Sequence, residues 1–247
     1  MAAMQSKGAL MSQSMQDDDT PAARTRHAVV TGASSGIGAA IARRLLSAGW
    51  AVTGLDRSPA PGAEGFNGIE VDLTDAAKLA AAVATLARVD AIVHAAGFMR
   101  TAVLGELNPE DGEDMWRIHV QAACVLANAL MPTLPDGARI VLIGSRTAAG
   151  APGRSQYAAT KAAVVGMARS WAAELAPRGI TVNVVAPGAT ETPMLNDPGR
   201  KGTPPRTPPI GRFIRPDEVA GMVSFLLGPD AGAITGQQIL ICGGGSL

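Results

Sequence analysis

A doubly wound α/β fold, built on one parallel sheet with helices on both faces, is what the sequence predicts from three observations. From His27 onward, short β-branched apolar runs alternate with longer, alanine-rich amphipathic segments. That alternation marks βαβ units and a parallel sheet covered on both sides. The first run passes through a glycine-rich turn straight into a helical segment, and seven such runs follow one another with no break where a second domain could begin.

HAVVTG (27–32) reads as a strand, GIGAAIARRLLSAG as a helix ending at Gly49, and AVTGLD (51–56) as the second strand. A Pro- and Gly-rich loop, SPAPGAEGFNG (58–68), leads to a strand at IEVD (69–72). A helix over DAAKLAAAVATLARV (75–89) and a strand at DAIVHAAG (90–97) come next. One long helix through EDMWRIHVQAACVLANALM (113–131) precedes the strand ARIVLIGS (138–145). A helix over 155–175, the strand ITVNVVAPG (180–188), the helix PDEVAGMVSFLLG (216–228) and the strand QQILICGG (237–244) complete a seven-stranded Rossmann-type domain over 26–247. Residues 1–25 are small, polar and methionine-sprinkled, with an acidic DDD run, and are expected to be a disordered tail. They lack the apolar stretch of a signal peptide, so a cytoplasmic protein is expected. Between Thr190 and Arg212, proline and glycine are too dense for a long helix. This segment follows a strand's carboxyl end, where ligands bind in open α/β sheets, and is expected to be a lid.

Composition narrows the function classes. Among 247 residues, 21 basic and 21 acidic side chains cancel, and no basic cluster stands out. Nucleic acid and anionic membrane are therefore poor partners, and no apolar run reaches the length of a membrane span. Cys124 and Cys242 are far apart and match no metal-ligand or redox spacing, so both are expected to be reduced core thiols and no metal site is expected.

Four features carry chemistry. The turn Gly32-Ala33-Ser34-Ser35-Gly36-Ile37-Gly38 joins strand to helix. Glycines let the backbone approach a phosphate, and the helix N-terminus offers free N–H groups and a positive dipole end. Its spacing is G-x-x-x-G-x-G rather than the general dinucleotide fingerprint. Asp56 ends the second strand, placed to bind a ribose diol and to repel a 2′-phosphate, which favours NAD over NADP. Arg57 beside it could accommodate that phosphate. Asp72 is a candidate helix cap and a candidate partner of the adenine amino group, readings that do not exclude each other because Thr74 or Asp75 could cap instead. Ser145 ends the fifth strand, where its hydroxyl could hold a substrate oxygen. Tyr157 and Lys161 stand at i and i+4 on one helix face. A positive lysine beside the phenol is expected to lower its pKa toward neutrality, as a general acid/base requires.

TGASSGIG, the strand-end Asp56, Ser145 with Tyr157-x-x-x-Lys161, and NVVAPG (183–188) followed by Thr192 together resemble the short-chain dehydrogenase/reductase family from His27 to Leu247. The resemblance implies NAD(P) and the oxidation of an alcohol or reduction of a ketone. It implies Tyr157 as general acid/base, Lys161 on the nicotinamide ribose and Ser145 orienting the substrate oxygen. Gly32 and Ser34 to Gly38 would meet pyrophosphate and ribose, with Asp56 and Arg57 at the adenine ribose and Asp72 and Leu73 at adenine. Ala95, Ala96 and Gly97 would lie along the cofactor, and Pro187, Gly188, Thr190 and Thr192 would border the nicotinamide. Phe98, Met99, Thr147, Ala189, Met194 and Leu195 are expected to line the substrate side; Arg100 and Arg146 could meet an anionic substrate, although surface arginines are the commoner case. The resemblance further implies a homotetramer or homodimer.

Three departures from the family pattern stand out. His94-Ala95-Ala96-Gly97 replaces the usual NNAG, so asparagine contacts to the sheet are expected to be missing. His119 falls where a catalytic asparagine is usual; it either holds a relay water, adding an inflection near pH 6.5 to the activity profile, or fills the core. The serine-to-tyrosine interval is one residue shorter than in many relatives. The expected activity is NAD-dependent interconversion of a secondary alcohol and a ketone. A non-catalytic dinucleotide sensor or scaffold retaining the fold is the alternative.

Overall fold

Strands β1 (His27–Thr31), β2 (Ala51–Asp56), β3 (Phe66–Glu70), β4 (Ala91–His94), β5 (Arg139–Ile143), β6 (Thr181–Pro187) and β7 (Gln238–Ile241) pair in parallel throughout. The computed structural model that defines them describes residues 24–58, 62–200 and 204–247; all but the last two residues of the expected tail lie outside the described residues. The sheet order is β3-β2-β1-β4-β5-β6-β7. Because β1 and β4 are neighbours, the chain winds toward opposite edges from that point, and a crevice opens between their carboxyl ends.

Period-two alternation divides the core into two layers. Val29, Ile92, Ile140, Leu142, Val182 and Val184 face one side, packed under α2 (Ala76–Val83), α4 (Ala122–Leu130) and α5 (Ser155–Leu175). Val30, Val93, Val141, Ile143 and Val185 face the other, under α1 (Gly36–Ser47) and α6 (Pro216–Leu226).

Several boundaries differ from the sequence expectation. β3 begins at Phe66, inside the expected loop, because Phe66 to Glu70 pair in register with Val52 to Asp56. As an edge strand it buries little, so its residues lack the apolar signature of the central strands. Helix α2 ends at Val83, well short of Val89, and Asp75 caps it by accepting the Lys78 N–H at 3.0 Å. The helix expected from Glu113 begins earlier, as α3 (Pro109–Trp116). Asn108 caps it through the Glu110 N–H at 3.0 Å, Pro109 takes the first position, and Glu110 and Asp111 complement the dipole. That run is not uniform: a π-helical turn at Arg117–Gln121 joins α3 to α4. Such turns are frequent at functional sites, and this one carries His119.

Candidate active site

The carboxyl ends of the strands open into one cleft of about 1140 Å³. At one end of it, Ser35 precedes α1 without a side-chain cap, and no acid occupies the first turn. The leading N–H groups and the positive end of the helix therefore remain directed at the cleft. The backbone is packed too closely for side chains: a Cβ at Gly32 (φ 69°) would lie 2.9 Å from Ala96 Cα, and one at Gly38 would overlap the Gly32 carbonyl. Asp56 accepts from the Arg57 N–H at 2.7 Å and the Ser34 N–H at 3.2 Å, which fixes its carboxylate at the strand end. The Ser34 hydroxyl donates to the Ser58 carbonyl; Ser34 braces this loop and does not line the cleft. Asp72 does not cap α2. It accepts from the Thr74 N–H and hydroxyl at 2.9 and 2.8 Å, which lowers its pKa, and it lines the cleft beside buried Leu73.

Ser145, Tyr157 and Lys161 converge at the other end. Ser145 caps a short 3₁₀ turn (Arg146–Ala149), accepting the Thr147 N–H at 3.2 Å and sharing a hydrogen bond with its hydroxyl at 2.8 Å. Helix α5 brings Tyr157 and Lys161 to one face, 6% and 5% exposed. The Lys161 ammonium donates to the Ile143 carbonyl at 2.8 Å and lies 5.7 Å from the tyrosine ring centre. Burial brings the lysine pKa down to about 7. It raises that of Tyr157, against the opposing influence of the Ser145 hydroxyl and the charges of Arg200 and Arg154. The expectation that Lys161 would bring the phenol toward neutrality is thus not met in this geometry. Desolvation outweighs charge here, and it acts on the lysine as well as on the phenol.

Of the two departing histidines, His119 lines the cleft and His94 lies buried outside its lining. His94 is fully enclosed: its Nε2–H donates to the Ile118 carbonyl at 2.9 Å, and its Nδ1 accepts from the Thr31 hydroxyl at 2.9 Å. That hydroxyl also accepts the Ala95 and Ala96 N–H groups at 3.0 and 3.1 Å. The sheet contacts expected to be missing are therefore made by the imidazole, which ties β1 and β4 to the π turn. His119 donates from Nδ1 to Thr160 Oγ1 at 2.9 Å, because the Thr160 proton is committed to the Tyr157 carbonyl at 2.9 Å. Among the described residues its buried Nε2 has no hydrogen-bond partner, although the Phe98 backbone acts on the ring to raise its pKa, and a Cβ at Gly97 would come within 2.5 Å of Nε2. Burial first, then the charge of Lys161, holds the His119 pKa well below its ordinary value. A ring that stays neutral cannot produce the inflection expected near pH 6.5.

The remaining candidates divide. Ser35 to Gly38, Arg57, Ala95 to Met99, Thr147, Pro187 to Thr190, Thr192, Met194 and Leu195 line the cleft, as does Arg146. Arg100 does not; it pairs with Asp197 at 3.4 Å and lies over Phe98. Arg154, Arg200 and Arg206 line it too, and sequence reasoning missed them. Cys242 is buried, but Cys124 is exposed on α4, which corrects the expectation of two core thiols. The segment expected to be a lid leaves the sheet after β6 and rejoins at a bridge between Thr190 and Ile214, closed by Glu191 N–H to Ile214 O and Ile214 N–H to Ala189 O, both 2.9 Å. Its described residues from Thr192 to Arg206 form one wall of the cleft; residues 201–203 lie outside the described residues.

A seven-stranded parallel sheet with a glycine cradle, Ser145, Tyr157 and Lys161 on one cleft defines a Rossmann-type oxidoreductase. The family profile described as enoyl-(acyl carrier protein) reductase matches residues 32–246. The 3-oxoacyl-[acyl-carrier-protein] reductase FabG of Vibrio harveyi is 35% identical over 234 residues, covering 88% of this chain and 96% of that protein. A blue fluorescent protein from a metagenomic library, solved in complex with NADPH, is 34% identical with a TM-score of 0.78, covering 90% of this chain and 98% of that one. A short chain dehydrogenase family protein from Francisella tularensis has a TM-score of 0.84 at 26% identity, covering 90% and 99%. The chain belongs to the short-chain dehydrogenase/reductase family of oxidoreductases. No described helix is long and apolar enough to cross a membrane.

Proposed function

We propose that this protein interconverts a secondary alcohol and its ketone with a nicotinamide dinucleotide, preferring NAD(H) to NADP(H). The observation that carries the reading is the convergence of Ser145, Tyr157 and Lys161 on a cleft whose far end is the uncapped N-terminus of α1. The cradle at Gly32, Gly36 and Gly38 fits a pyrophosphate, since backbone forms its wall at Gly32 and Gly38 and the small Thr192 side chain faces Gly36. When bound, the dinucleotide supplies the two-electron redox chemistry at the reacting carbon.

In reduction, the Tyr157 phenol gives its proton to the carbonyl oxygen while the Ser145 hydroxyl donates a hydrogen bond to the same atom. In oxidation, the phenolate takes the proton back. Burial keeps the phenol protonated at neutral pH, so the resting site is ready for reduction. Oxidation requires the phenolate, which a charged Lys161 favours. His119, neutral and with no partner for Nε2 among the described residues, is suited to accept a hydrogen bond from a relay water. Asp56, held by two backbone N–H groups, supports the NAD preference. It is placed to accept from a ribose diol and to repel a 2′-phosphate. The NADPH complex of the metagenomic relative makes Arg57 the residue to watch.

Tyr157→Phe tests the reading. Turnover should fall by about 10²–10⁴-fold, the usual worth of general acid/base catalysis, while NAD affinity measured by calorimetry changes little. A variant that keeps most of its turnover would remove the tyrosine from the mechanism.

A further inference from the structure

Thr160 stands on α5 between Tyr157 and Lys161, buried and outside the lining of the cleft. Its hydroxyl donates to the Tyr157 carbonyl, three residues back, at 2.9 Å. Helical threonines form this bond with the preceding turn, and it uses the one proton the hydroxyl has. The oxygen can still accept. His119 Nδ1 lies 2.9 Å from it, a hydrogen bond that forms only if the ring carries its proton on that nitrogen. A neutral imidazole has a single N–H, and Nε2 is thereby left bare.

The Phe98 backbone pulls the other way. It raises the pKa of the ring, as an acceptor does, yet Nε2 reaches no hydrogen-bond partner among the described residues. Two acceptors thus compete for one proton, and the contact with full hydrogen-bond geometry is the one to Thr160. The outcome matters for the cleft. Gly97, without a Cβ that would lie 2.5 Å from Nε2, leaves that nitrogen open to approach. His119 stands edge-on to the Tyr157 ring, 5.4 Å between centroids, and the Lys161 ammonium lies 5.7 Å from the same ring centre. A water that accepts from the ammonium can donate to a bare Nε2; with the proton on Nε2 it would meet two donors.

We propose that Thr160 is a positioning residue: by spending its proton on the Tyr157 carbonyl, it holds His119 as the Nδ1–H tautomer and presents a bare Nε2 to the cleft as a hydrogen-bond acceptor. Thr160 lies outside the cleft lining and acts through His119. The tautomer is independent of the reaction catalysed; its effect on turnover rests on the oxidoreductase reading above.

The experiment uses the full-length protein with isotopically labelled histidine and reads the tautomer from long-range proton–nitrogen NMR correlations of the imidazole at neutral pH. The His119 signals are those lost in His119→Asn. Wild type and Thr160→Ser should show a protonated Nδ1 and a bare Nε2. Thr160→Val, close in shape but without the oxygen, should move the proton to Nε2. Reduction of cyclohexanone and ethyl acetoacetate with NADH and with NADPH is measured on the same proteins. Thr160→Val should lose about tenfold or more in kcat, the worth of one hydrogen bond, with KM little changed, and Thr160→Ser should keep most of it. A wild type protonated on Nε2, a tautomer that Thr160→Val leaves unmoved, or equal kcat in the two variants would overturn the proposal. Melting curves identify a variant that fails to fold; if Thr160→Val does, Thr160→Ala takes its place. If the wild type reduces neither ketone, the oxidoreductase reading fails instead, and the tautomers alone decide for Thr160.

Discussion

Acid is the perturbation that His94 should feel most. Its imidazole donates to the Ile118 carbonyl and accepts from the Thr31 hydroxyl, and that arrangement requires a neutral ring. Burial first, and the charge of Lys161 second, bring its pKa from an ordinary 6.5 down to about 4. A base depressed in this way binds its proton more readily in the unfolded chain. Stability therefore rises with pH between the two values and is lost as pH falls from 6.5 toward 4. The interval is roughly 2.5 pH units, worth about 3 kcal/mol in full, of which about 2 kcal/mol is lost between pH 7 and pH 5. Against a typical stability of about 5–15 kcal/mol that is readily measured. Urea unfolding at pH 7, 6 and 5 should be compared for wild type and His94→Asn, whose amide cannot titrate. His119 acts in the same direction in both proteins, mainly through its own burial and Lys161, so the difference reports chiefly on His94. The wild type should lose about 2 kcal/mol more than the variant over this range. Coincident pH dependences would refute the neutral, doubly bonded imidazole.

Two further outcomes are expected. Asp56→Ala should weaken NAD binding by about 1.5–3 kcal/mol, the worth of a hydrogen bond to a charged group, and narrow the NAD/NADP ratio; a wild type with lower KM for NADP would show that Arg57 outweighs Asp56. The activity profile should show no His119 inflection near its ordinary pKa; His119→Asn, which keeps an acceptor, should retain substantial turnover, while His119→Leu should lose about tenfold or more. Equal turnover in the two variants would assign His119 to packing.

The central strands were legible because Val, Ile and Leu recur on both faces of β1, β4, β5 and β6, and the Ser145, Tyr157 and Lys161 set because helix and strand periodicity alone bring it to one sheet edge. What escaped depends on tertiary contacts. The start of β3 at Phe66 rests on pairing at an exposed edge, where burial leaves no apolar pattern. The π turn at Arg117–Gln121 interrupts no hydrophobic run, so nothing local announces it. That His94 replaces asparagine contacts follows only from Thr31 and Ile118 meeting around it. Arg200 sits in a stretch whose Pro and Gly content says loop, with no hint that it lines the cleft. The pKa of Tyr157 was misjudged because an i,i+4 spacing reveals proximity and says nothing of how dry the site is.

The bridge between Thr190 and Ile214 makes the outer wall of the cleft a closed excursion: it departs from the sheet and returns to it at one clamped point. Lengthening a loop so anchored costs only about 0.6 kcal/mol for each doubling. Ser145, just after β5, and Tyr157 and Lys161, on α5, lie outside the excursion altogether. Selection, or an engineer, can thus exchange this wall as a cassette, grafting a different substrate preference while the proton-handling residues keep their places.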